Sequence, residues 1–350
     1  MDITHRLTSG ETLTMDVLAP GEGRGDTPAN REIWTFMTRP FDPWMTPSEA
    51  AYAASILGGM DDGSLHNYVY VARIEGAIVG TALHATARDS HAIGGYGNVL
   101  TEPAQRGKGI AQILTEHSTR QFWDDGGRAI YLGTVNPVAQ HVYQKFGYQP
   151  YNGLAMRALR AGESPDRFDA EYFGTNGDVQ VRDAALGDIA AYTALLLAHE
   201  PRAWIVRDFT EGIFYAPPAV QASGCLRPFY NTFSRHEANP ANQFKLLVTE
   251  RRRVVGAASV QRPLVGALGD QAVLEFACYP TYQPRLALLL DTALEAAGQA
   301  GARRVRAYAA GDERGAVLGE VGFRHEASLT DALDLGDRRV DVRIFSRDLA

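Results

Sequence analysis

The chain has 350 residues, of which 45% are hydrophobic and 21% are charged. This length exceeds what one ordinary core needs and fits two domains, and the composition is typical of a globular protein rather than a disordered one. The formal net charge of −7 provides no global basic field, so we expect no nucleic-acid partner.

Cysteine content and hydropathy exclude further classes of protein. The sequence has two cysteines, Cys225 and Cys278, too few for a disulfide framework or a four-cysteine site, and we expect no metal. No stretch reaches the eighteen apolar residues of a membrane span. The first twenty residues show no basic segment followed by an apolar run. We therefore expect a cytoplasmic protein with no membrane partner.

The first half of the chain predicts alternating strands and helices. The elements are, in chain order, a strand pair at 67–76 and 77–89, a strand at 91–101, a helix at 108–124, a strand at 128–135, a helix from 136 and strand material at 147–160. The helix at 108–124 follows from the spacing of Ile110, Ile113 and Leu114.

The second half repeats this order. Its elements are a strand pair within 244–264, a strand at 272–280, a helix at 284–301, a strand at 303–310, a helix at 312–323 and strand material at 340–349. A polar stretch rich in Gly and Pro at 160–178 separates the halves and indicates a linker. The pattern predicts tandem copies of one fold, with domains at 1–165 and 176–350.

A glycine turn with two cations lies in the sequence VLTEPAQRGKGIAQIL at 99–114. A Walker loop is excluded because position 102 is Glu, and a dinucleotide turn is disfavoured because position 112 is Gln. The remaining pattern is R-x-x-G-x-A, from Arg106 to Ala111, which opens a helix. The N–H groups of a helix N-terminus and the two cations suit a pyrophosphate. A glycine-rich helix start that binds nothing is the alternative.

This segment resembles the acyl-CoA pyrophosphate loop of the GNAT N-acetyltransferase superfamily, whose signature is [QR]-x-x-G-x-[GA]. The later segment NPVAQHVYQKFGYQ, at 136–149, resembles the same family's Asn, Ala and Tyr followed by Gly and an aromatic residue. The resemblance covers roughly residues 65–160. It implies an α/β fold with a mixed sheet of the GNAT type in each half.

The resemblance further implies acetyl-CoA as co-substrate and assigns the residues that bind it. The backbone of the strand before the loop pairs with the pantetheine arm, and the loop holds the pyrophosphate. The implied donor-binding residues are Asn98, Val99, Leu100, Thr101, Arg106, Gly107, Lys108, Gly109, Ile110, Ala111, Asn136, Ala139 and Tyr143. Asn136 is in addition suited to be a helix N-cap before Pro137.

The implied chemistry is direct attack of an amine on the thioester. The Leu100 N–H polarises the carbonyl, and Tyr143, a phenol with an ordinary pKa of about 10, protonates the leaving thiolate. A core aromatic is the alternative for Tyr143. The middle of the central strand holds Gly and Tyr where many members carry a carboxylate or His, so the general base stays open. The candidates, besides water alone, are Glu102, Asp89, His91 and His84.

The second copy departs from both motifs. With Pro280 aligned to Pro103, the residues Gln283, Pro284 and Leu286 stand at the places of Arg106, Gly107 and Gly109, and Leu318 stands at that of Tyr143. Proline removes an N–H donor, and leucine crowds the space for phosphate. We expect this half to be a degenerate, non-catalytic copy that helps to form the acceptor pocket.

Two segments with interleaved aromatic and Arg residues are candidates for the acceptor pocket. They contain Trp34, Phe36, Arg39, Phe41 and Trp44 within 31–57, and Trp204, Arg207, Tyr215, Tyr230, Arg235 and His236 within 201–240. They favour a small-molecule amine with a carboxylate or planar group, and plain packing is the alternative. We expect a monomer or homodimer. A non-catalytic acyl-CoA sensor or scaffold, and a GNAT enzyme with another acyl donor, are the alternative functions.

Overall fold

The structure is a computed structural model. It describes residues 3–39, 56–59, 63–151, 154–174, 177–198, 206–207, 214–215, 227–262, 271–310, 312–334 and 339–349. The chain divides into two compact units, one of residues 1–163 and 225–230 and one of residues 164–224 and 231–350. Three acceptor candidates, Phe41, Trp44 and Trp204, lie outside the described residues.

The N-terminal unit is built on an eight-stranded sheet with the order β1-β2-β3-β4-β5-β6-β8-β7. Its strands are β1 (Ile3–Arg6), β2 (Thr12–Leu18), β3 (Leu65–Ile74), β4 (Ala77–Ala87), β5 (Ser90–Thr101), β6 (Ala129–Gly133), β7 (Gln149–Pro150) and β8 (Ala155–Leu159). Strands β5 and β6 run parallel and the other neighbours antiparallel. The predicted strands of this half are confirmed to within a few residues.

Helices cover both faces of this sheet. They are α1 (Pro28–Thr38), α2 (Ile110–Asp124) and α3 (Pro137–Gln144). Leu114 and Phe122 of α2 form one buried cluster with the sheet, and Ile33 and Met37 of α1 form another on the opposite face. At Gly80 of β4 an added Cβ would lie 2.9 Å from the Ile110 side chain, so α2 packs directly on the strand backbone.

The C-terminal unit has a seven-stranded sheet with the order β16-β17-β15-β14-β13-β12-β9. The strands of this sheet are β9 (Val179–Asp183), β12 (Gln243–Thr249), β13 (Val254–Gln261), β14 (Gln271–Cys278), β15 (Arg304–Ala309), β16 (Arg324–Asp334) and β17 (Arg339–Asp348). Strands β10 (Val206–Arg207) and β11 (Phe214–Tyr215) pair only with each other. The helices after residue 163 are α4 (Pro165–Tyr172), α5 (Ile189–Ala198), α6 (Arg227–Ala238), α7 (Leu286–Gln299) and α8 (Asp312–Glu320). The first four residues of α6 are assigned to the N-terminal unit and the rest of this helix to the C-terminal unit.

The two sheets share one strand order. The series β2-β3-β4-β5-β6-β8-β7 corresponds to β9-β12-β13-β14-β15-β17-β16. The parallel pair is β5 with β6 in one sheet and β14 with β15 in the other. Helix α2 follows β5 as α7 follows β14, and α3 follows β6 as α8 follows β15. The repeat of element order predicted from the sequence is thereby confirmed.

The stretch at 160–178 differs from its predicted irregular structure, because it contains α4. Ser164 caps this helix by accepting a hydrogen bond from the Arg167 N–H, with Pro165 at the first helical position. Phe168 and Tyr172 are buried and their rings stack at 5.5 Å. Short amphipathic helices rich in polar residues are easily mistaken for loops, since few apolar positions mark them.

Candidate active site

Strands β5 and β6 separate near their carboxyl ends. Their register pairs Ile93 with Ala129 and ends at Gly95 with Tyr131. Beyond this point β5 continues to Thr101 and β6 to Gly133. The resulting gap, which we call the strand opening, lies between residues 97–101 of β5 and residues 132–133 of β6. A separated edge offers N–H and C=O groups to an extended ligand.

Strand β5 has a bulge in its pairing with β4, next to the strand opening. Thr81 pairs with Leu100 and Leu83 pairs with Gly97, so β5 has one residue more than β4 in this interval. Asn98 has a φ of 51°, which is uncommon outside glycine, and its carbonyl accepts a hydrogen bond of 3.3 Å from the Thr81 hydroxyl. Residues 97–100 are half-buried, whereas the preceding four are buried. The bulge thus brings the predicted donor-binding residues of β5 to an accessible edge.

The predicted pyrophosphate loop lies directly after the strand opening. A 3-10 turn at Pro103–Gln105 leads to Gly107 and Gly109, whose φ values are 82° and 87°. These left-handed conformations explain why both positions are glycine. An added Cβ at either glycine would meet no atom within 4 Å, so the space above the loop is open among the described residues.

Helix α2 begins at Ile110, with Gly109 as its N-cap. The first N–H groups of a helix, here those of Ile110 and Ala111, have no intrahelical acceptor and point outward at the positive end of the helix dipole. The Arg106 side chain lies beside this end and donates to the Thr101 carbonyl at 3.4 Å. Open space, outward N–H groups and an adjacent cation meet the requirements of a pyrophosphate site.

Lys108 has a partner that sequence reasoning missed. Its ammonium lies 2.7 and 2.8 Å from the two carboxylate oxygens of Glu11, in the turn between β1 and β2. The hydrogen bond from Lys108, followed by one from the Ser9 hydroxyl, lowers the pKa of the Glu11 carboxyl. Nothing in the sequence links these residues, because the contact spans almost one hundred positions and depends on how the hairpin packs.

Helix α3 holds Asn136 and Tyr143 at its two ends. The Asn136 side chain accepts a hydrogen bond of 3.0 Å from the Val138 N–H, and Pro137 follows, so the interpretation of Asn136 as an N-cap is confirmed. Tyr143 is 7% exposed. Its ring lies 5.9 Å from the rings of Tyr96 and Tyr148. Ala139 lies one turn before Tyr143 and packs partly buried against the same core.

The four candidate bases lie at different places. Asp89 and His91 flank the start of β5, at the far end of this strand from the opening. At about 3.3 Å per residue, they are roughly 30–36 Å along the chain from Leu100. Glu102 follows the opening directly, and its carboxylate accepts a hydrogen bond of 2.7 Å from Arg39. Of the four, Glu102 is the candidate that shares the level of the opening.

His84 lies in the core of the N-terminal unit. The ring is fully buried, lies 4.7 Å from the Tyr68 ring, and is hydrogen-bonded through Nδ1 to the Ser118 hydroxyl at 3.0 Å. Burial, with a smaller contribution from His91, lowers the pKa of His84 to about 3. The ring is therefore neutral at physiological pH and is shielded from solvent.

Several of the acceptor candidates within the described residues have structural partners. Phe36 of α1 is buried, and Trp34 packs partly buried against the same cluster. The Arg39 guanidinium lies 5.1 Å from the centre of the Phe36 ring. Arg235 donates to the Arg262 carbonyl, and the His236 Nδ1–H donates to the Asn242 carbonyl at 2.6 Å. Arg207 and Tyr215 lie in the short strands β10 and β11, and Tyr230 is buried on α6.

The corresponding loop of the C-terminal unit lacks both left-handed glycines. A 3-10 helix at Pro280–Arg285, with Pro284 inside it, leads to Leu286, which is 1% exposed. Leu318 of α8 is fully buried and its carbonyl accepts the Phe323 N–H, as the Tyr143 carbonyl accepts the Tyr148 N–H. The structure thus places Leu318 where the N-terminal unit has Tyr143.

The family follows from the sequence profile of this region. Residues 66–150 match the acetyltransferase (GNAT) domain family. This span covers the strand opening, the glycine loop and α3. The chain thus contains a GNAT acetyltransferase domain, and the resemblance inferred from the two motifs is confirmed for this region.

No curated protein matches the chain in sequence. Among solved structures, a GNAT-family acetyltransferase from Streptococcus pneumoniae is similar at 17% identity, covering 49% of this chain and 100% of that chain with a TM-score of 0.39. A ribosomal-protein-alanine N-acetyltransferase from Brucella melitensis has 17% identity, with coverage of 49% and 99% and a TM-score of 0.38. A spermidine/spermine N-acetyltransferase from Vibrio cholerae has 15% identity, with coverage of 49% and 92% and a TM-score of 0.36.

The residues that the structure describes contain neither a metal-binding cluster nor a membrane-spanning helix. No group of three or more His, Cys, Asp or Glu side chains is arranged to hold a metal ion there. Within the same residues, the helices are too short or too polar to cross a membrane.

Proposed function

We propose that the N-terminal unit is an N-acetyltransferase that transfers an acetyl group from acetyl-CoA to the amine of a small molecule. The observation that carries this proposal is the strand opening of β5 and β6, followed at once by a helix N-terminus with two left-handed glycines. An extended arm with a pyrophosphate at its end fits an open strand edge next to an anion site. The match of residues 66–150 to the GNAT domain supports this assignment.

In this proposal the residues of the loop hold the pyrophosphate of the donor. The backbone N–H groups of residues 107–111 donate to the phosphate oxygens, and Arg106 and Lys108 add charge-assisted hydrogen bonds. The backbone of Asn98, Val99, Leu100 and Thr101 pairs with the pantetheine arm. Asn136 and Ala139 line the opposite wall. The open space above Gly107 and Gly109 is consistent with a bound phosphate there.

The same residues define the chemistry. The donor supplies an acetyl thioester, whose carbonyl carbon the acceptor amine attacks. The Leu100 N–H donates a hydrogen bond to the carbonyl oxygen, where negative charge develops. As the carbon–sulfur bond breaks, the Tyr143 hydroxyl gives its proton to the thiolate. Glu102, or water in contact with it, takes the proton that the amine loses.

The acceptor is a small molecule in this proposal, bound on the α1 side of the sheet. Arg39 and Glu102 form an ion pair of 2.7 Å there, with half and one third of their side chains exposed, so both reach solvent beside the opening. The acidic chain, with a net charge of −7, disfavours nucleic acid as a partner. We place the enzyme in the cytoplasm, as a monomer or homodimer, with domains at 1–165 and 176–350 and a non-catalytic C-terminal copy.

The test is a thiol-release assay with acetyl-CoA across amines, amino acids, hydrazines and aminoglycosides. We expect turnover with at least one class of acceptor. Tyr143→Phe should lower kcat by about 10²–10⁴-fold because the general acid is lost, with little change in KM for acetyl-CoA. Tyr148→Phe, in the same aromatic cluster, is the matched control and should retain activity.

Normal turnover by Tyr143→Phe would remove this residue from the mechanism. Donor binding without turnover on any acceptor would instead indicate a sensor or scaffold. Mass spectrometry of donor and product distinguishes acetyl transfer from transfer of another acyl group.

A further inference from the structure

The C-terminal unit has a strand opening of its own. The register of β14 with β15 ends at Leu274 and Ala307, although β14 continues to Cys278 and β15 to Ala309. The ends of β5 and β14 differ in exposure, however. Residues 97–100 of β5 are half-buried, whereas residues 272–278 of β14 are all buried. Some group of the chain must therefore fill the second opening.

Sheet register identifies which residues correspond across the two openings. Gly80 pairs with Thr101 in one unit, and Gly256 pairs with Cys278 in the other. Three residues further along β4 and β13, Leu83 pairs with Gly97 and Ser259 pairs with Glu275. Glu275 therefore stands at the place of Gly97.

Helices α3 and α8 correspond in the same way. Each is followed by a left-handed glycine, Gly147 with a φ of 87° and Gly322 with a φ of 79°. Counting back from these glycines, Leu318 corresponds to Tyr143 and Arg314 corresponds to Ala139. Where the N-terminal opening has the small residues Gly97 and Ala139, the C-terminal opening thus has Glu275 and Arg314.

The Arg314 guanidinium lies between the separated strands. It donates to the Phe276 carbonyl of β14 at 3.0 Å, to the Tyr308 carbonyl of β15 at 3.0 Å, and to the Glu275 carboxylate at 2.8 Å. Its side chain is fully buried, and the guanidinium carbon lies 4.0 Å from the centre of the Phe276 ring. One side chain thus takes up backbone acceptors of both strands and neutralises the buried carboxylate.

We propose that Arg314, paired with Glu275, fills the strand opening of the C-terminal unit and thereby restricts acyl-CoA binding to the N-terminal unit. This inference rests on the proposed function of the N-terminal opening. The guanidinium occupies the backbone acceptors that an extended donor arm would use. It cannot leave without uncovering a buried carboxylate, which is strongly unfavourable. The opening is therefore closed permanently by the chain itself.

The first experiment transfers the pair to the other unit. Titration of the full chain with acetyl-CoA, followed by calorimetry and native mass spectrometry, should give one donor per chain. Gly97→Glu combined with Ala139→Arg should raise the Kd at least 100-fold while circular dichroism stays unchanged. The control, Ala77→Glu with Gln144→Arg, adds the same charges at exposed positions and should bind normally.

Two donors per chain, or normal binding by the double variant at 97 and 139, would overturn the inference. A wild-type chain that binds no donor would contradict the proposed function instead.

The second experiment tests the filling of the opening without any donor. Arg314→Ala should lower the Tm of the full chain, and millimolar methylguanidinium should restore it by occupying the vacated space beside Glu275. Methylammonium at equal ionic strength should not. Arg324→Ala, which removes an arginine that is 76% exposed, should show no response to either salt. An unchanged Tm for Arg314→Ala, or equal effects of the two salts, would overturn the inference.

Discussion

Gly107 and Gly109 combine two properties that together favour a ligand: a left-handed backbone and open space above it. Many turns have the first property alone. Gly76, between β3 and β4, has a φ of 83° and equally open surroundings, yet it lies in an ordinary hairpin turn. What distinguishes Gly109 is its position at the N-terminus of α2, where N–H groups point outward.

These two glycines therefore allow a matched comparison. Gly109→Ala and Gly76→Ala should each destabilise the protein by about 1 kcal/mol, because alanine is strained at positive φ. Gly109→Ala alone should weaken acetyl-CoA binding, by at least tenfold, since its methyl group enters the phosphate space. Thermal melts and calorimetry of both variants provide the measurement. Equal donor affinity of the two variants would show that the loop does not contact the donor.

Glu11 is the second feature at the residue scale. Its carboxylate holds Lys108 in an ion pair. In the proposed complex this carboxylate would compete with the donor pyrophosphate for the ammonium group. Glu11→Gln should therefore lower the Kd for acetyl-CoA, about three- to tenfold at low salt and less at high salt. Glu116→Gln, which breaks the ion pair with Arg120 on α2, is the control and should leave the Kd unchanged. An unaltered Kd in Glu11→Gln would mean that Lys108 does not approach the donor.

At the scale of elements, helix α3 has a cap at one end and the proposed general acid at the other. Asn136 fixes the first turn of an eight-residue helix, and Tyr143 lies at its other end. Asn136→Ala should destabilise the protein by about 1 kcal/mol and also reduce kcat several-fold. Ser164→Ala, which removes the corresponding cap of α4, should cost similar stability but leave kcat unchanged. Stability follows from urea unfolding and kcat from thiol release, and equal kcat in both variants would contradict a positioning role for α3.

The central elements of each unit could be predicted from sequence because their patterns are strong. Strands β3 and β4 are rich in apolar and β-branched residues, and α2 has apolar residues at helical spacing. The outer elements were not predicted. The hairpin of β1 and β2 contains many polar and charged residues, and only its pairing with β3 makes it part of the sheet. Edge strand β9 is similar, since its side chains are exposed or only partly buried.

The site was predictable where it is contiguous in sequence. The loop at 106–111 and the helix from 136 each carry a local motif, so their residues could be named from the sequence alone. Glu11 could not be, because its contact with Lys108 depends on tertiary packing. The general base was equally out of reach. The predicted strand at 91–101 already puts Asp89 and Glu102 at opposite ends, but the point where β5 separates from β6 follows only from the strand pairing.

At the scale of the whole molecule, the buried His84 predicts a dependence of stability on pH. Its pKa falls from 6.5 to about 3 on folding, so the unfolded chain binds more protons between these values. The neutral ring therefore costs no stability above pH 6.5, and stability is lost as the pH falls toward 3. At pH 5 the free energy of unfolding is lower by about 2 kcal/mol than at high pH.

Unfolding by urea at pH 8 and pH 5 measures this effect. His84→Gln should lose less stability than the wild type between these two pH values, because glutamine takes up no proton. His141→Gln, at an exposed position of α3, should follow the wild type. An identical pH dependence in His84→Gln and the wild type would show that this ring does not govern acid sensitivity.

The difference between the filled and the unfilled opening also has a consequence for other proteins that contain two copies of this fold. Fold comparison would score both units of this protein as the same architecture, since their strand orders agree. Besides the loop and Leu318, the units differ at two positions, which hold Gly97 and Ala139 in one unit and Glu275 and Arg314 in the other. A relative with the glycine loop and small residues at these positions in both units would be expected to bind two donors per chain, and one with a carboxylate and an arginine in both units would bind none. The residue types at these two positions of each unit would then help to indicate from sequence alone how many donors a chain binds.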